Sequence, residues 1–253
     1  MKTYHLFVGL PRTGSTVLSS ILNQNPDVYV ASDTAMYEIL MAVKYEWYRT
    51  PTMIANPIEG QLDNLYQGIL DSMWLHKKQS IIIDRNRAWG GNMEFAQHVF
   101  KKDIKVICTV RNLPDIMASF KHIYLPEVGP EHIDMELMNV WKYFVKGYVE
   151  NVDRLRRYKN ILVINYDDFC KTPELYINQI HSFLELPEHK YDLLDIQGDY
   201  QTKNIVPFGP EGMHRIRPKF EKINYSSEEV LGKELFDYFV DIQKNYKTAF
   251  KDT

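Results

Sequence analysis

A short apolar run followed at once by a glycine-rich loop opens this chain and limits the folds available to it. Tyr4–Val8 has the composition of a buried strand, Gly9–Thr16 reads GLPRTGST, and an amphipathic helical pattern follows over Val17–Leu22. The two glycines fit the spacing G-x-x-x-x-G-K-[ST], but Ser15 occupies the lysine position and the cation has moved to Arg12. A strand, a glycine loop and a helix N-terminus bind an anion through backbone N–H groups. Because the missing lysine holds the β- and γ-phosphates of a nucleoside triphosphate, the loop predicts a different anion.

Short apolar runs alternate with longer amphipathic patterns along the rest of the chain. The runs predict strands at Tyr4–Val8, Val28–Ala31, Ser80–Asp84, Lys105–Val110 and Ile161–Asn165. The longer patterns predict helices at about Ser15–Asn23, Thr34–Tyr48, Gln61–His76, Asn92–Phe100, Pro114–Tyr124, Pro130–Arg157, Pro173–Glu185 and Ser226–Thr248. Strands separated by helices form βαβ units, whose parallel sheet is covered on both faces. We therefore expect an α/β fold of P-loop type, a three-layer sandwich with a central parallel sheet of about five strands flanked by helices.

Length and composition are those of an ordinary globular protein. The 253 residues suit one large α/β domain or two small ones, and we predict one domain over residues 1–253. The 30 basic and 33 acidic side chains give a net charge of −3, so no global basic field indicates a nucleic-acid partner. Cys108 and Cys170 are too few for a disulfide framework and are expected to be reduced. No signal peptide precedes the first strand and no apolar run reaches the ~18 residues of a membrane span, so we expect a cytoplasmic protein.

The segment 197–220 differs from the strand–helix alternation around it. It is basic and is punctuated by Gly198, Pro207, Gly209, Pro210, Gly212 and Pro218. In a compact domain a loop of this length is often a lid or a binding loop. The alternative is a surface connector that leads to the last helix, and the sequence leaves both interpretations open.

A second candidate anion site follows the fourth predicted strand. That strand ends at Arg111, Pro114 suits the first turn of a helix, and Ser119 lies on the second turn. Arg111 is therefore expected at the carboxyl edge of the sheet, on the same side as the glycine loop. An arginine fork together with a hydroxyl suits a terminal phosphate. Taken alone, Arg111 is equally compatible with a surface ion pair; taken with the first loop, it predicts a two-pronged nucleotide clamp.

These segments together resemble the sulfotransferases that use 3′-phosphoadenosine-5′-phosphosulfate, and most of all the tyrosylprotein sulfotransferase type. Leu10–Thr16 is similar to the family's 5′-phosphosulfate loop, P-[KR]-[ST]-G-[ST]-[ST]. Val110-Arg111 with Ser119 resembles its 3′-phosphate site, including the spacing of eight residues. Asn165–Phe169 resembles the segment that follows a later core strand. The three matches occur in the family's order over residues 6–169, about two-thirds of the chain.

The resemblance implies how the donor is bound. Arg12 would meet the oxygen that bridges sulfur and phosphorus and would stabilise the transferred group. The 5′-phosphate would be held at the helix N-terminus by Thr13, Gly14, Ser15 and Thr16. Arg111 and Ser119 would bind the 3′-phosphate, while Tyr166 would contact the nucleotide or simply pack in the core. No metal is required, because the donor already carries a good leaving group and positioning with electrostatic stabilisation supplies most of the catalysis.

The acceptor hydroxyl also needs a general base. Asp33 occupies the position that matches the catalytic glutamate of the tyrosylprotein type, although aspartate is one methylene shorter and could instead cap the following helix. The histidine alternatives are His122, His132 and His214. Arg85, after the third predicted strand, aligns with a lysine near the sulfonate in related enzymes; a solvated basic turn is the alternative.

The sequence leaves the acceptor and several partners open. The hydroxyl acceptor is a small molecule, a glycan, a lipid or a peptide tyrosine, and nothing indicates the oligomeric state. In the late loop, the basic residues that would close over the 3′-phosphate are Lys203, His214, Arg215 and Arg217. Two rival functions remain: a kinase-like P-loop phosphotransferase with a degenerate loop, and a nucleotide-binding module without turnover.

Overall fold

The computed structural model describes residues 2–31, 34–100, 104–198, 216–221, 225–251 and 253. Within these residues one parallel sheet is formed by β1 (Thr3–Gly9), β2 (Val28–Val30), β3 (Ile81–Arg85), β4 (Val106–Val110) and β5 (Ile161–Asn165). The strand order is β2-β3-β1-β4-β5, so β1 lies at the centre. All five predicted strands are confirmed, and none of their ends differs by more than one residue.

Alternating side chains cover both faces of the sheet. Leu6 and Val8 of β1 pack into one apolar core, and Phe7 between them packs into another. The parallel register places Leu6 beside Val106 and Phe7 beside Ile107, so neighbouring strands present the same alternation. The predicted three-layer α/β sandwich is therefore confirmed.

The helices divide between these two cores. The core that contains Phe7 is covered by α1 (Ser15–Leu22), α9 (Tyr166–Lys171) and α10 (Pro173–Leu184). The core that contains Leu6 is covered by α2 (Met36–Arg49), α4 (Gln61–Met73), α5 (Met93–Phe100), α6 (Leu113–Val128), α7 (Ile133–Val140), α8 (Lys146–Leu155), α11 (Ser227–Leu231) and α12 (Lys233–Lys244). A short α3 (Pro51–Ala55) follows α2. In the described part of the chain, no helix is both long and apolar enough to cross a membrane.

Two long predicted helices are interrupted. The pattern over Pro130–Arg157 predicts one helix, but a π-helical segment, Trp141–Val145, separates α7 from α8. The pattern over Ser226–Thr248 is broken at Gly232, whose φ of 82° ends α11. Amphipathic periodicity reports which face is buried and is insensitive to one widened turn or one residue between helices, which explains both differences. Most of the late loop 197–220 lies outside the described residues.

The chain topology opens a crevice beside β1. The chain leaves β1 through α1 toward β2 at one edge of the sheet, whereas it leaves β4 through α6 toward β5 at the other edge. Neighbouring parallel strands whose connections diverge leave a gap at their carboxyl ends, where α/β proteins bind their ligands. The glycine loop and Arg111 both lie at this gap.

Candidate active site

The loop after β1 is shaped by three residues with positive φ. Gly9 has φ of 139° and lies so close to Thr109 that a Cβ would collide with its backbone. Gly14 has φ of 69°, and a Cβ there would collide with the Tyr166 ring. Arg12 has φ of 60°, which is uncommon for a residue with a Cβ and costs roughly 1–2 kcal/mol. The spacing of the glycines therefore reflects close contacts with β4 and α9.

Thr13 fixes the loop to the sheet. Its buried hydroxyl donates to the Leu10 carbonyl at 2.7 Å and lies 2.7 Å from the Thr109 hydroxyl on β4. The following helix α1 has Gly14 as its N-cap, and no side chain caps its first turn. Backbone N–H groups at such a helix start lack intrahelical partners and can bind an anion.

Arg12 points across the crevice toward α6. Its Nε donates to the Ser119 hydroxyl at 3.1 Å. Burial lowers the pKa of Arg12 to about 10; Tyr225 partly opposes this shift and neighbouring Arg87 adds to it. Arg12 is still a cation at neutral pH, in surroundings that disfavour its charge. Anionic ligands would relieve that penalty.

Arg111 lies at the end of β4 between two tyrosines. Its guanidinium carbon is 4.8 Å from the ring centre of Tyr166 and 6.0 Å from that of Tyr225. Its buried Nε forms no hydrogen bond with the described residues, and Asp167 Oδ2 lies 3.7 Å away. Burial lowers the pKa of Arg111, but Tyr225 and Asp167 outweigh burial and the net pKa is raised. Arg111 therefore keeps its charge beside the crevice.

Tyr166 contacts both the glycine loop and Arg111. It is the first residue of α9, which Asn165 caps by accepting from the backbone N–H groups of Asp167 and Asp168 at 2.8 and 3.1 Å. One edge of its ring lies against Gly14. Burial, with a smaller effect of Cys170, raises the pKa of its hydroxyl, so the ring stays neutral.

The arginine at the end of β3 lies behind the loop. Arg85 is 4% exposed, and its Nη1 donates to the Thr16 and Ser19 hydroxyls at 3.3 and 3.4 Å. It contacts the first turn of α1 and does not line the crevice, whereas Arg87 does. From the sequence Arg85 was the candidate; the signal for Arg87 was its position two residues later, beyond the strand end. A direct catalytic role of Arg85 stays a prediction.

Glu38 and Asn86 also line the crevice and were not singled out from the sequence. The Asn86 side-chain amide donates to the Thr34 carbonyl at 2.8 Å and to the two Glu38 carboxylate oxygens at 3.1 and 2.9 Å. Asp84 holds this corner in place: it accepts from the Thr34 hydroxyl at 2.5 Å and from Trp89 Nε1 at 2.7 Å. The signal in the sequence was Asn86 itself, an asparagine directly after a strand, where it caps the turn that follows by accepting from the Ala88 N–H.

The candidate general bases lie in different parts of the chain. Asp33 and His214 lie outside the described residues. His122 lines the crevice and is exposed, with its ring 4.8 Å from that of Tyr225. His132 is exposed and does not line the crevice. Among the late-loop cations, Lys203 and Arg215 lie outside the described residues as well, and Arg217 is exposed.

The crevice forms one cavity of about 1010 Å³. The structure brings together in its wall the eight residues that the sequence assigned to the donor: Arg12, Thr13, Gly14, Ser15, Thr16, Arg111, Ser119 and Tyr166. They come from the loop after β1, the start of α1, the end of β4, α6 and α9. Their grouping is a property of the fold, and the role of each stays a prediction.

Comparison with the models of known families gives one match. The model of the sulfotransferase family matches residues 6–190, which is most of the chain and includes the glycine loop, Arg111 and Tyr166. The chain belongs to the sulfotransferase family. Among curated proteins, no sequence match is found. The tyrosylprotein subtype stays a prediction.

Solved sulfotransferase structures share the fold. A sulfotransferase from Alicyclobacillus acidocaldarius is 14% identical with a TM-score of 0.57, and the match covers 100% of this chain and 97% of that one. The sulfotransferase domain of the curacin biosynthetic pathway is 15% identical with a TM-score of 0.55, covering 96% and 98%. The sulfotransferase domain of the Synechococcus PCC 7002 olefin synthase is 16% identical with a TM-score of 0.56, covering 95% and 96%. At these identities the likeness concerns the fold.

Proposed function

We propose that this protein transfers a sulfuryl group from 3′-phosphoadenosine-5′-phosphosulfate to a hydroxyl acceptor. The observation that carries the proposal is the convergence of two arginines, Arg12 after β1 and Arg111 after β4, on one cavity at the diverging strand connections. Two separate cationic sites suit a nucleotide with phosphates at both its 5′ and 3′ positions. Family membership supports the same reaction class. The lysine that a nucleoside triphosphate requires is replaced by Ser15, which argues against the kinase alternative.

In this proposal the residues of the loop hold the 5′ end of the donor. The free N–H groups of the first turn of α1 and the hydroxyls of Ser15 and Thr16 bind the 5′-phosphate. Arg111 fits the 3′-phosphate because its guanidinium lies between two aromatic rings in the cavity wall. Its buried Nε forms no hydrogen bond within the described structure and has the Asp167 carboxylate 3.7 Å away. Ser119 has a different immediate partner from the one the sequence suggested, since it accepts from Arg12. Ser119 therefore orients Arg12 as well as lining the cavity.

The transfer is an in-line displacement at sulfur. The acceptor oxygen forms a bond to sulfur while the bond from sulfur to the 5′-phosphate oxygen breaks, which leaves a sulfated acceptor and adenosine 3′,5′-bisphosphate. Arg12 stabilises the charge that develops on the bridging oxygen. The acceptor proton passes to Asp33, which we propose as the general base from the family resemblance. No metal enters this scheme.

The proposal is tested by comparing nucleotides with and without the 3′-phosphate. The protein is expected to bind adenosine 3′,5′-bisphosphate more tightly than adenosine 5′-phosphate by calorimetry. Arg111→Ala should weaken binding of the bisphosphate about 10–100-fold, because a hydrogen bond to a charged group contributes roughly 1.5–3 kcal/mol, and should leave the monophosphate unaffected. Arg49→Ala is the matched control, since Arg49 is exposed on α2 and paired with Glu46.

Two results would contradict the proposal. The first is equal affinity of the wild-type protein for the two nucleotides, which would remove the 3′-phosphate site. The second is transfer from ATP that disappears on chelation of magnesium, which would establish the kinase alternative. Transfer of labelled sulfate from the donor in the presence of a chelator is the expected outcome.

A further inference from the structure

The side of the cavity that α6 to α8 line has a wall of apolar and aromatic side chains. This aromatic wall comes from α6, α7, the π-helical segment and α8, and consists of Phe120, Ile123, Tyr124, Val140, Phe144 and Tyr148. Phe144 meets Phe120 edge-on at 6.0 Å and 88°, and meets Tyr148 edge-on at 5.3 Å and 84°. Such edge-to-face pairs fix the rings in a set arrangement. The wall is therefore a preformed apolar surface.

The π-helical segment decides which rings reach the cavity. Trp141 and Val145 at its ends are buried, whereas Tyr143 is 75% exposed and Phe144 is 41% exposed, and both of the latter line the cavity. A π-helical turn is wider than an α-helical turn and is frequently found at functional sites. Large exposed aromatic side chains around a concave surface mark a binding site for an apolar group. The observation is independent of the residues that hold the donor.

The charged residues that line the cavity are unevenly distributed over its elements. Arg12, Arg87 and Arg111 follow the strand ends, and Arg87 lies 5.7 Å from the ring centre of Tyr148. Of the described residues from α7 to α8, the one charged side chain that lines the cavity is Glu136. A carboxylate in this position repels an anion and attracts an amine. An acceptor that lies against α7 and the π-helical segment is therefore disfavoured if it carries a negative charge.

We propose that the aromatic wall binds the acceptor, and that this acceptor is a hydroxyl compound with a flat apolar body and no negative charge. This inference rests on the proposed function, since it assigns the acceptor of that reaction. The cavity of about 1010 Å³ exceeds what one drug-sized ligand requires and can hold a donor and an acceptor together. The acceptor hydroxyl points toward Arg12; its oxygen forms the new bond to sulfur while the bond from sulfur to the 5′-phosphate oxygen breaks, and its proton passes to the general base. Acidic tyrosine peptides fit this side of the cavity poorly.

Three para-substituted phenols of similar size test the charge preference of the acceptor site. They are 4-ethylphenol, which is neutral, tyramine, which carries an amine, and 3-(4-hydroxyphenyl)propanoate, which carries a carboxylate. The expected kcat/KM for sulfation is at least tenfold lower for the carboxylate than for either of the others. Glu136→Gln should reduce the difference in kcat/KM between tyramine and the carboxylate, and Glu136→Lys should make the carboxylate the better substrate. Neither variant should change the affinity for adenosine 3′,5′-bisphosphate.

A second pair of variants tests the aromatic wall. Phe144→Ala should raise KM for 4-ethylphenol about tenfold, which is the usual effect of removing one apolar contact group from a pocket. Tyr238→Ala is the control, because Tyr238 on α12 is also 41% exposed and does not line the cavity. Circular dichroism of each variant excludes misfolding as the cause.

The outcomes separate this inference from the proposed function. Bisphosphate binding without sulfation of any of the three phenols, or preferred sulfation of a sugar such as glucosamine, overturns the acceptor assignment and leaves the proposed function standing. A carboxylate that reacts as well as tyramine overturns it too, as does an unchanged KM in Phe144→Ala. Absence of bisphosphate binding overturns the proposed function and this inference with it.

Discussion

Arg12→Ala separates catalysis from stability. Arg12 donates a hydrogen bond to Ser119, and the loss of that bond costs about 1 kcal/mol of folding free energy. Against this, lowering the pKa of a guanidinium from 12.5 to about 10 corresponds to roughly 3 kcal/mol against the charged form. Partial exposure of the side chain reduces that penalty. The two contributions oppose each other, so we expect the variant to be as stable as the wild type or up to about 2 kcal/mol more stable.

The same change should nearly abolish sulfuryl transfer. Removing one group that stabilises developing negative charge lowers the rate about 10²–10³-fold, or roughly 3–4 kcal/mol. The penalty on the charged form of Arg12 is present at every pH below about 10, since the folded state disfavours the proton that Arg12 carries. Arg12→Gly should be about 1 kcal/mol more stable than Arg12→Ala, because glycine tolerates the φ of 60°.

Two measurements on each variant check this prediction. Transfer of labelled sulfate gives kcat/KM, and urea unfolding gives the free energy of unfolding. Arg49→Ala, which removes an exposed arginine, should change neither. A variant of Arg12 that keeps more than a tenth of the wild-type kcat/KM would contradict the catalytic role. A variant that loses activity and several kcal/mol of stability together would show that Arg12 supports the fold instead.

Three further outcomes are expected elsewhere in the chain. Asp33→Asn should abolish turnover and keep the affinity for adenosine 3′,5′-bisphosphate; unchanged turnover would leave Asp33 as a helix cap. Gly14→Ala should destabilise the protein by about 1–3 kcal/mol in urea unfolding, because a Cβ collides with the Tyr166 ring at a φ of 69°. Burial and neighbouring His189 lower the pKa of His181, so folding disfavours its protonation and Tm should fall as pH drops below about 6.5, less steeply in His181→Gln. An identical pH dependence in that variant would exclude His181.

The strands and the glycine loop were predictable because their signals are local. Each strand is a short apolar run between polar segments, and the parallel arrangement follows from the helices between them. The glycines at positions 9 and 14 indicated an unusual backbone conformation, but the sequence did not show which residues pack against them. The partners, Thr109 and Tyr166, are distant in sequence and required the sheet register.

The residues around the loop were harder to assign, because packing decides where a side chain points and how deeply it is buried. From the sequence, Arg85 and Arg87 are equivalent basic residues near one strand end, yet Arg85 is buried behind α1 and Arg87 lines the cavity. Similarly, Ser119 was paired with Arg111, and the structure pairs it with Arg12. Arg85 is the last residue of β3, whereas Arg87 begins a 3₁₀-helical turn beyond the strand, so the alternation of the strand does not fix the direction of its side chain.

The sequence by itself determined the α/β layers, the glycine loop with Arg12 in place of a lysine, and Arg111 at the same sheet edge. These follow from periodicity, glycine spacing and the rule that parallel strands end on one side. Only the tertiary structure decided that Arg12 reaches Ser119, that Asn86 holds Glu38, and that the π-helical segment turns Tyr143 and Phe144 into the cavity. Those contacts join segments far apart in the chain, and their geometry is set by how helices pack on the sheet, which no local pattern encodes.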